Sequence, residues 1–174
     1  MIKKFIEIVR ENRRNQKEII RYSKELNWAN VYHDSIRGKD WLEKLPLNVG
    51  RWGCNYAFFY VLNRILTDYA PKNILEMGLG ESSKFVSSFL DKKLLETKHV
   101  VIEQDEKFKS SYINNNKIHP KTVIKVCPIK IEENKGYQTI TYQNFDQIVN
   151  KKFDLYLVDG PTGTGNYSRY DLVK

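Results

Sequence analysis

Apolar positions change period along the chain, and the change divides it in two. From Met1 to Leu26 they recur at helical spacing: Ile2, Phe5, Ile6 and Val9 fall at i, i+3, i+4 and i+7, and Ile19, Ile20, Tyr22 and Leu26 form a second group. Asn55 to Ala70 is apolar on nearly every face, which predicts a helix buried between other elements and stopped by Pro71. Between them, residues 27 to 53 carry Trp28, Trp41, Pro46, Gly50 and Trp52 and predict an irregular covering segment. Its aromatics can stack on a base or sugar, or cover the core.

From Lys72 onward short apolar strands alternate with helical stretches, which predicts an α/β fold with a parallel sheet. Strands are expected at Ile74–Met77, His99–Ile102, Thr122–Ile129 and Phe153–Val158. Helices are expected at Ser82–Leu95, Asp105–Asn115 and Asn144–Lys151, with a turn at Asn134–Gly136 before a short extra strand, Tyr137–Tyr142. The chain therefore reads as a helical extension, residues 1–71, packing on a parallel α/β domain, residues 72–174.

A length of 174 residues suits one domain with an appendage, and 41% apolar residues are enough to build its core. The longest unbroken apolar run, Tyr56 to Leu62, is far short of the roughly 20 residues a bilayer span requires. The opening MIKKFIEIVR has no continuous apolar stretch and no small-residue cleavage site, so no secretory signal is read and a cytoplasmic location is expected. Cys54 and Cys127 are too few for a disulfide framework or a four-ligand zinc site. His33, His99 and His119 show no mutual spacing for a metal or a triad, and each is expected in a buried or surface role.

The formal charge of +8, from 29 basic and 21 acidic side chains, favours an anionic partner: nucleic acid, phospholipid headgroups, a nucleotide sugar or an acidic glycan. Dispersed basic residues without an RNA-binding motif argue against nucleic acid. Between Met1 and Glu25 eight Lys or Arg face four Glu, a local excess of +4. Such a helix can lie peripherally on an anionic membrane or pack its apolar stripe on its own domain.

The densest chemistry lies in Asn73–Lys84, NILEMGLGESSK, where a strand delivers an acid and then two glycines into a helix start. Gly78 and Gly80 permit a tight turn and close backbone approach, so a ligand pocket is expected at the carboxyl end of that strand. Glu103 closes the second strand 23 residues after Gly80, where an acid accepts hydrogen bonds from ribose hydroxyls. Glu76 occupies a position that a dinucleotide fingerprint fills with a buried apolar residue, which suits a ligand carrying a cation or an amine.

In their order and spacing, E-M-G-L-G-E-S-S, V-V-I-E-Q-D and D-L-Y-L-V-D-G-P resemble motifs one, two and four of class I S-adenosylmethionine-dependent methyltransferases. The resemblance implies a Rossmann-like fold, S-adenosyl-L-methionine as cofactor, and a cofactor site made by Glu76, Gly78, Gly80 and Glu103, with Ser82 and Ser83 as helix-start donors. More narrowly, V-D-G-P-x-G followed by Arg169 is similar to the glucuronoxylan 4-O-methyltransferase-like group and its bacterial polysaccharide relatives. That implies a glycan or small-molecule acceptor, methylated on a sugar hydroxyl.

For such chemistry a protein must align the acceptor oxygen and relieve it of its proton. Asp159, ending the fourth strand, is the candidate for general base, acceptor orienter or ligand of a divalent metal. It is equally suited to capping the Gly160–Pro161 turn. Tyr167 and Arg169 are candidates for gripping an acidic sugar.

The family's sheet has seven strands, whereas here 15 residues follow Asp159. The apolar FDLYLV strand is thus expected to expose an edge, and the chain to form a homo-oligomer along it or to be a truncated product. Other readings keep the cofactor with an RNA acceptor, or keep the pocket as a silent binding or assembly module. An NAD-type oxidoreductase is disfavoured by Glu76, by Ser83 in place of a third glycine, and by the long helical preamble. Gly160–Gly165 imitates a phosphate-binding loop but is followed by Asn166 and Tyr167, which excludes ATP hydrolysis.

Overall fold

A computed structural model describes residues 2–50, 53–149, 152–161, 168–169 and 171, with the backbone alone for Ile148, Ser168 and Arg169. The first helix, α1 (Ile2–Ile36), runs 35 residues without a break, well past the expected end at Leu26. Trp28, Tyr32 and Ile36 recur at i, i+4 and i+8, so the helical face continues through the aromatic stretch. Tyr32 and Ile36 are buried, and the Trp28 ring lies 5.7 Å from that of Tyr60. The helix stops where Gly38 takes a left-handed φ of +78°, the usual helix-ending glycine.

One turn of helix, α2 (Asp40–Glu43), follows, and its Trp41 packs edge-on against Phe89 at 4.9 Å, covering the core. The irregular stretch is therefore confined to residues 44–55, of which Arg51 and Trp52 lie outside the described residues. Asn55 then caps α3 (Tyr56–Asp68) by accepting the Phe58 N–H at 2.8 Å. Close contact of α1 with the rest of the protein begins near Glu25. Residues 2–24 are exposed apart from half-buried Val9, so the stripe expected to seat on the domain is uncovered.

The strands β1 (Asn73–Met77), β2 (Lys98–Glu103) and β3 (Thr122–Val126) are joined by α4 (Glu81–Lys92) and α5 (Glu106–Asn115). β3 ends three residues before the expected Ile129. There the Cys127 N–H makes the last rung, to the Glu103 carbonyl at 2.8 Å, at the residue where β2 itself ends. The chain instead enters a hairpin of β4 (Ile129–Asn134) and β5 (Tyr137–Tyr142), whose loop residues Lys135 and Gly136 both have positive φ, as a two-residue hairpin turn requires. After α6 (Phe145–Ile148), shorter than the expected 144–151, come β6 (Leu155–Val158) and β7 (Ser168–Arg169).

β3-β2-β1-β6 form a wholly parallel sheet, and β4-β5-β7 a second, smaller one. This α/β arrangement is compatible with a Rossmann-like fold. The chain builds from β1 outward to β3 and then crosses to place β6 on the other flank of β1. The strand order thus reverses between β1 and β6, and in open α/β sheets ligands bind in the crevice at such a point.

One face of the sheet, through Ile74 and Leu157, packs on Tyr32, Phe59, Phe85 and Phe89 of α1, α3 and α4. The other face, through Leu75, Met77 and Ile102, packs on Cys127, Tyr142 and Phe145. β6 is the end of the four-stranded sheet, with Tyr156 and Val158 partly exposed. Among the described residues no helix is long and apolar enough to cross a membrane.

Candidate functional site

The turns after β1 and β6 touch backbone to backbone at the sheet's carboxyl end. A Cβ on Gly78, whose φ is +102°, would stand 3.0 Å from the Gly160 nitrogen. One on Gly160 would lie 2.2 Å from the Tyr142 hydroxyl oxygen and 2.9 Å from the Gly78 nitrogen. Both positions need glycine. The Asp159 N–H donates to the Met77 carbonyl at 2.9 Å, and the Gly160 N–H donates to the same oxygen, which fixes Asp159 over the end of β1. Beside this junction lies a cavity of about 370 Å³, bordered by Gly78, Leu79, Glu103, Gln104, Asp105, Phe108, Tyr142, Asp159 and Gly160.

Glu103 is buried, and its carboxylate accepts three backbone N–H groups: Leu79 at 3.0 Å, Gln104 at 2.7 Å and Asp105 at 3.0 Å. A carboxylate offers about four acceptor positions, so one remains for a ligand hydroxyl. The same bond gives the glycine loop its shape, and every N–H of that loop has an internal acceptor. Gly78 donates to the Ile102 carbonyl at 2.8 Å, Leu79 to Glu103, and Gly80 to the Ser83 hydroxyl at 3.1 Å. Gly80 is extended, with φ −176° and open space where a Cβ would stand, so its backbone does not demand glycine.

A second cavity, of about 140 Å³, opens on the other side of Asp159 between Glu76, Ser82, Cys54, Phe58, Leu157 and Val158. Glu76 is fully buried there and already paired. The Ser82 hydroxyl donates to its Oε1, and His99 Nε2 lies 3.0 Å from its Oε2. His99, also fully buried, meets Thr122 Oγ1 through Nδ1 at 3.2 Å. An ionised carboxylate only accepts, so the proton belongs on Nε2, and Thr122 donates to Nδ1 when the ring is neutral.

The crevice is electronegative within a basic protein. Burial first, then the charges of Asp159 and Glu76, push the Cys54 thiol up from 9.0 to about 12. Burial and then the carboxylates Glu81 and Glu76 push the Tyr112 phenol up as well. No Lys or Arg is among the described residues bordering either cavity.

The structure therefore brings Gly78, Glu103 and Asp159 to one cavity and Glu76, Ser82 and Asp159 to its neighbour. Ser83 is fully buried, its hydroxyl used within the loop. Arg169 lies by its backbone in β7, opposite Ile140, while Tyr167 falls outside the described residues. Among the described residues no group of three or more His, Cys, Asp or Glu is placed to hold a metal, so Asp159 has no such set around it.

Sequence reasoning missed His99, Tyr142, Phe108, Phe58 of α3 and Cys54 just before that helix. His99 was within reach: Glu76 pairs with Val101, which puts His99 two residues back on the same face. No family model, curated protein or solved structure matches this chain.

Proposed function

We propose that the protein binds S-adenosyl-L-methionine at the crevice between β1, β2 and β6 and transfers a methyl group to an oxygen acceptor, a hydroxyl of a sugar in a surface polysaccharide or its precursor. The observation that carries this is the internal saturation of the glycine loop. With the N–H groups of Gly78, Leu79 and Gly80 all engaged, the loop itself has no backbone donor left for a pyrophosphate. The two cavities are walled instead by Glu76, Glu103 and Asp159, which favour a ligand bearing positive charge and no phosphate.

The residues present fit that cofactor. Glu103 keeps one acceptor position for a ribose hydroxyl. Gly78, without a side chain, leaves the adjoining cavity open to the nucleoside, and Glu76 in the smaller cavity suits an ammonium. When bound, the cofactor supplies an electrophilic sulfonium methyl. Asp159 borders both cavities, where its carboxylate can orient the acceptor hydroxyl and receive its proton. The acceptor class rests on the V-D-G-P-x-G run with Arg169 and on the net charge of +8, which favours an acidic glycan.

Calorimetric titration of the wild type and Glu103→Ala with S-adenosylhomocysteine, and separately with NADH, tests the proposal. Binding of the homocysteine nucleoside that is lost in the variant is expected. Binding of NADH alone overturns it.

A further inference from the structure

The first two thirds of α1 present an apolar surface that none of the described residues covers. Ile2, Phe5, Ile19 and Ile20 are each more than half exposed. The side of the helix that meets the protein is set by Ile36 and Tyr32, both buried, and by Glu25, whose carboxylate accepts the Tyr56 N–H at 2.7 Å. At about 100° per residue, Glu18, Glu11 and Glu7 continue that same line within about 40°. Ile2, Phe5, Ile6, Val9, Ile19 and Ile20 fall within about 80° of the opposite line. Arg10, Arg13, Lys17 and Lys24 run along one shoulder of the apolar face. The acidic side therefore follows the domain, and the apolar side with its basic shoulder points away from it.

From this juxtaposition we infer that residues 2–24 are an arm that docks on an anionic lipid surface. Its apolar face enters the headgroup boundary, Arg and Lys meet lipid phosphates, and the domain is held on the water side. Charge selects this occupant: eight basic residues against four acidic ones between Met1 and Glu25 attract an anionic surface, and all four acids lie on the far side of the helix from the apolar stripe. A second copy of the chain fits less well. Its coiled-coil seam would be Ile2, Phe5, Val9, Asn12, Gln16, Ile19, Ser23 and Leu26, with three polar residues in the buried line. The inference stands independently of what the crevice binds.

Cosedimentation of the full chain with vesicles tests it, using mixed phosphatidylcholine and phosphatidylserine against phosphatidylcholine alone. The protein is expected to sediment with the mixed vesicles and to bind the zwitterionic ones at least about tenfold more weakly. Phe5→Ser, Ile6→Ser and Ile19→Ser together should reduce binding to the mixed vesicles by about tenfold or more, with an unchanged thermal unfolding midpoint because these side chains are exposed. Arg13→Glu with Lys17→Glu should remove the preference for anionic lipid. The inference is overturned if the wild type stays in the supernatant, if it binds both vesicles equally, or if the triple variant sediments like the wild type. Light scattering that finds a dimer dissolved by the triple substitution overturns it too.

Discussion

Glu76 has two possible employments, and a single substitution separates them. In the structure its carboxylate accepts the Ser82 hydroxyl and meets His99 Nε2 at 3.0 Å, all three side chains being buried. Glu76→Gln can keep the network whole. The amide oxygen accepts from Ser82, the amide N–H donates to Nε2, and the ring moves its proton to Nδ1, where Thr122 becomes the acceptor. The expected stability cost is under about 1 kcal/mol, or a fall in unfolding midpoint of about 3 °C or less. Glu76→Leu has no such remedy. It leaves the Ser82 hydroxyl and one imidazole nitrogen buried without their partner, at about 4 kcal/mol in total, or roughly 10 °C.

Ligand affinity should fall even where stability is kept. If Glu76 also receives the ammonium of the bound cofactor, Glu76→Gln loses a charge-assisted bond, and S-adenosylhomocysteine binds about 10- to 100-fold more weakly. Adenosine, which lacks that ammonium, should bind both forms alike. Urea denaturation and calorimetry with the two ligands give all four numbers. Equal weakening of both ligands, or a Gln variant as unstable as the Leu variant, would refute the reasoning.

Alkaline pH should weaken the fold through Cys54. Its thiol is an acid with a raised folded pKa, so between 9.0 and about 12 the unfolded chain ionises while the folded one does not, and stability falls as pH rises. Tyr32 adds to the loss from 10.0 to about 12, and the Cys127 thiol, also pushed up by burial, shares the part that begins at 9.0. Cys54→Ser should lessen that part in denaturation midpoints measured either side of pH 9.0. Gly160→Ala should close the larger cavity and destabilise the protein by about 1–3 kcal/mol, because its methyl meets the Tyr142 hydroxyl and two backbone atoms; an unchanged melting curve would contradict the close approach. The outer edge of β6 should pair with a second copy, so light scattering at low micromolar concentration should report a dimer, and a well-behaved monomer would count against it.

The elements legible in the sequence are those whose signals are local. β1, β2, α4 and α5 fall within a few residues of expectation because apolar runs and glycines bound them. α1 outran its reading because Trp28 reads as part of the irregular segment 27–53, whereas the four-residue spacing of Trp28, Tyr32 and Ile36 continues the helix. β3 ended early because its partner β2 ends at Glu103, opposite Val126, a limit set one strand away that no local pattern encodes.

The site divides in the same manner. Gly78, Glu103 and Asp159 sit at strand ends, where motif spacing alone puts them. The partners that define their chemistry come from elsewhere: His99 by strand register, Tyr142 from the hairpin, Phe58 from the first turn of α3 and Cys54 from the segment before it. Ser83 shows the limit of motif transfer, since its hydroxyl accepts the Gly80 N–H inside the loop.

The most direct test is a crystal of the protein soaked with S-adenosylhomocysteine. Nucleoside density is predicted in the cavity between Gly78 and Phe108, with a ribose hydroxyl on Glu103 and the amino-acid end directed past Asp159 toward Glu76. An empty crevice under those conditions, in a crystal form that admits NAD to the same place, would contradict the proposal.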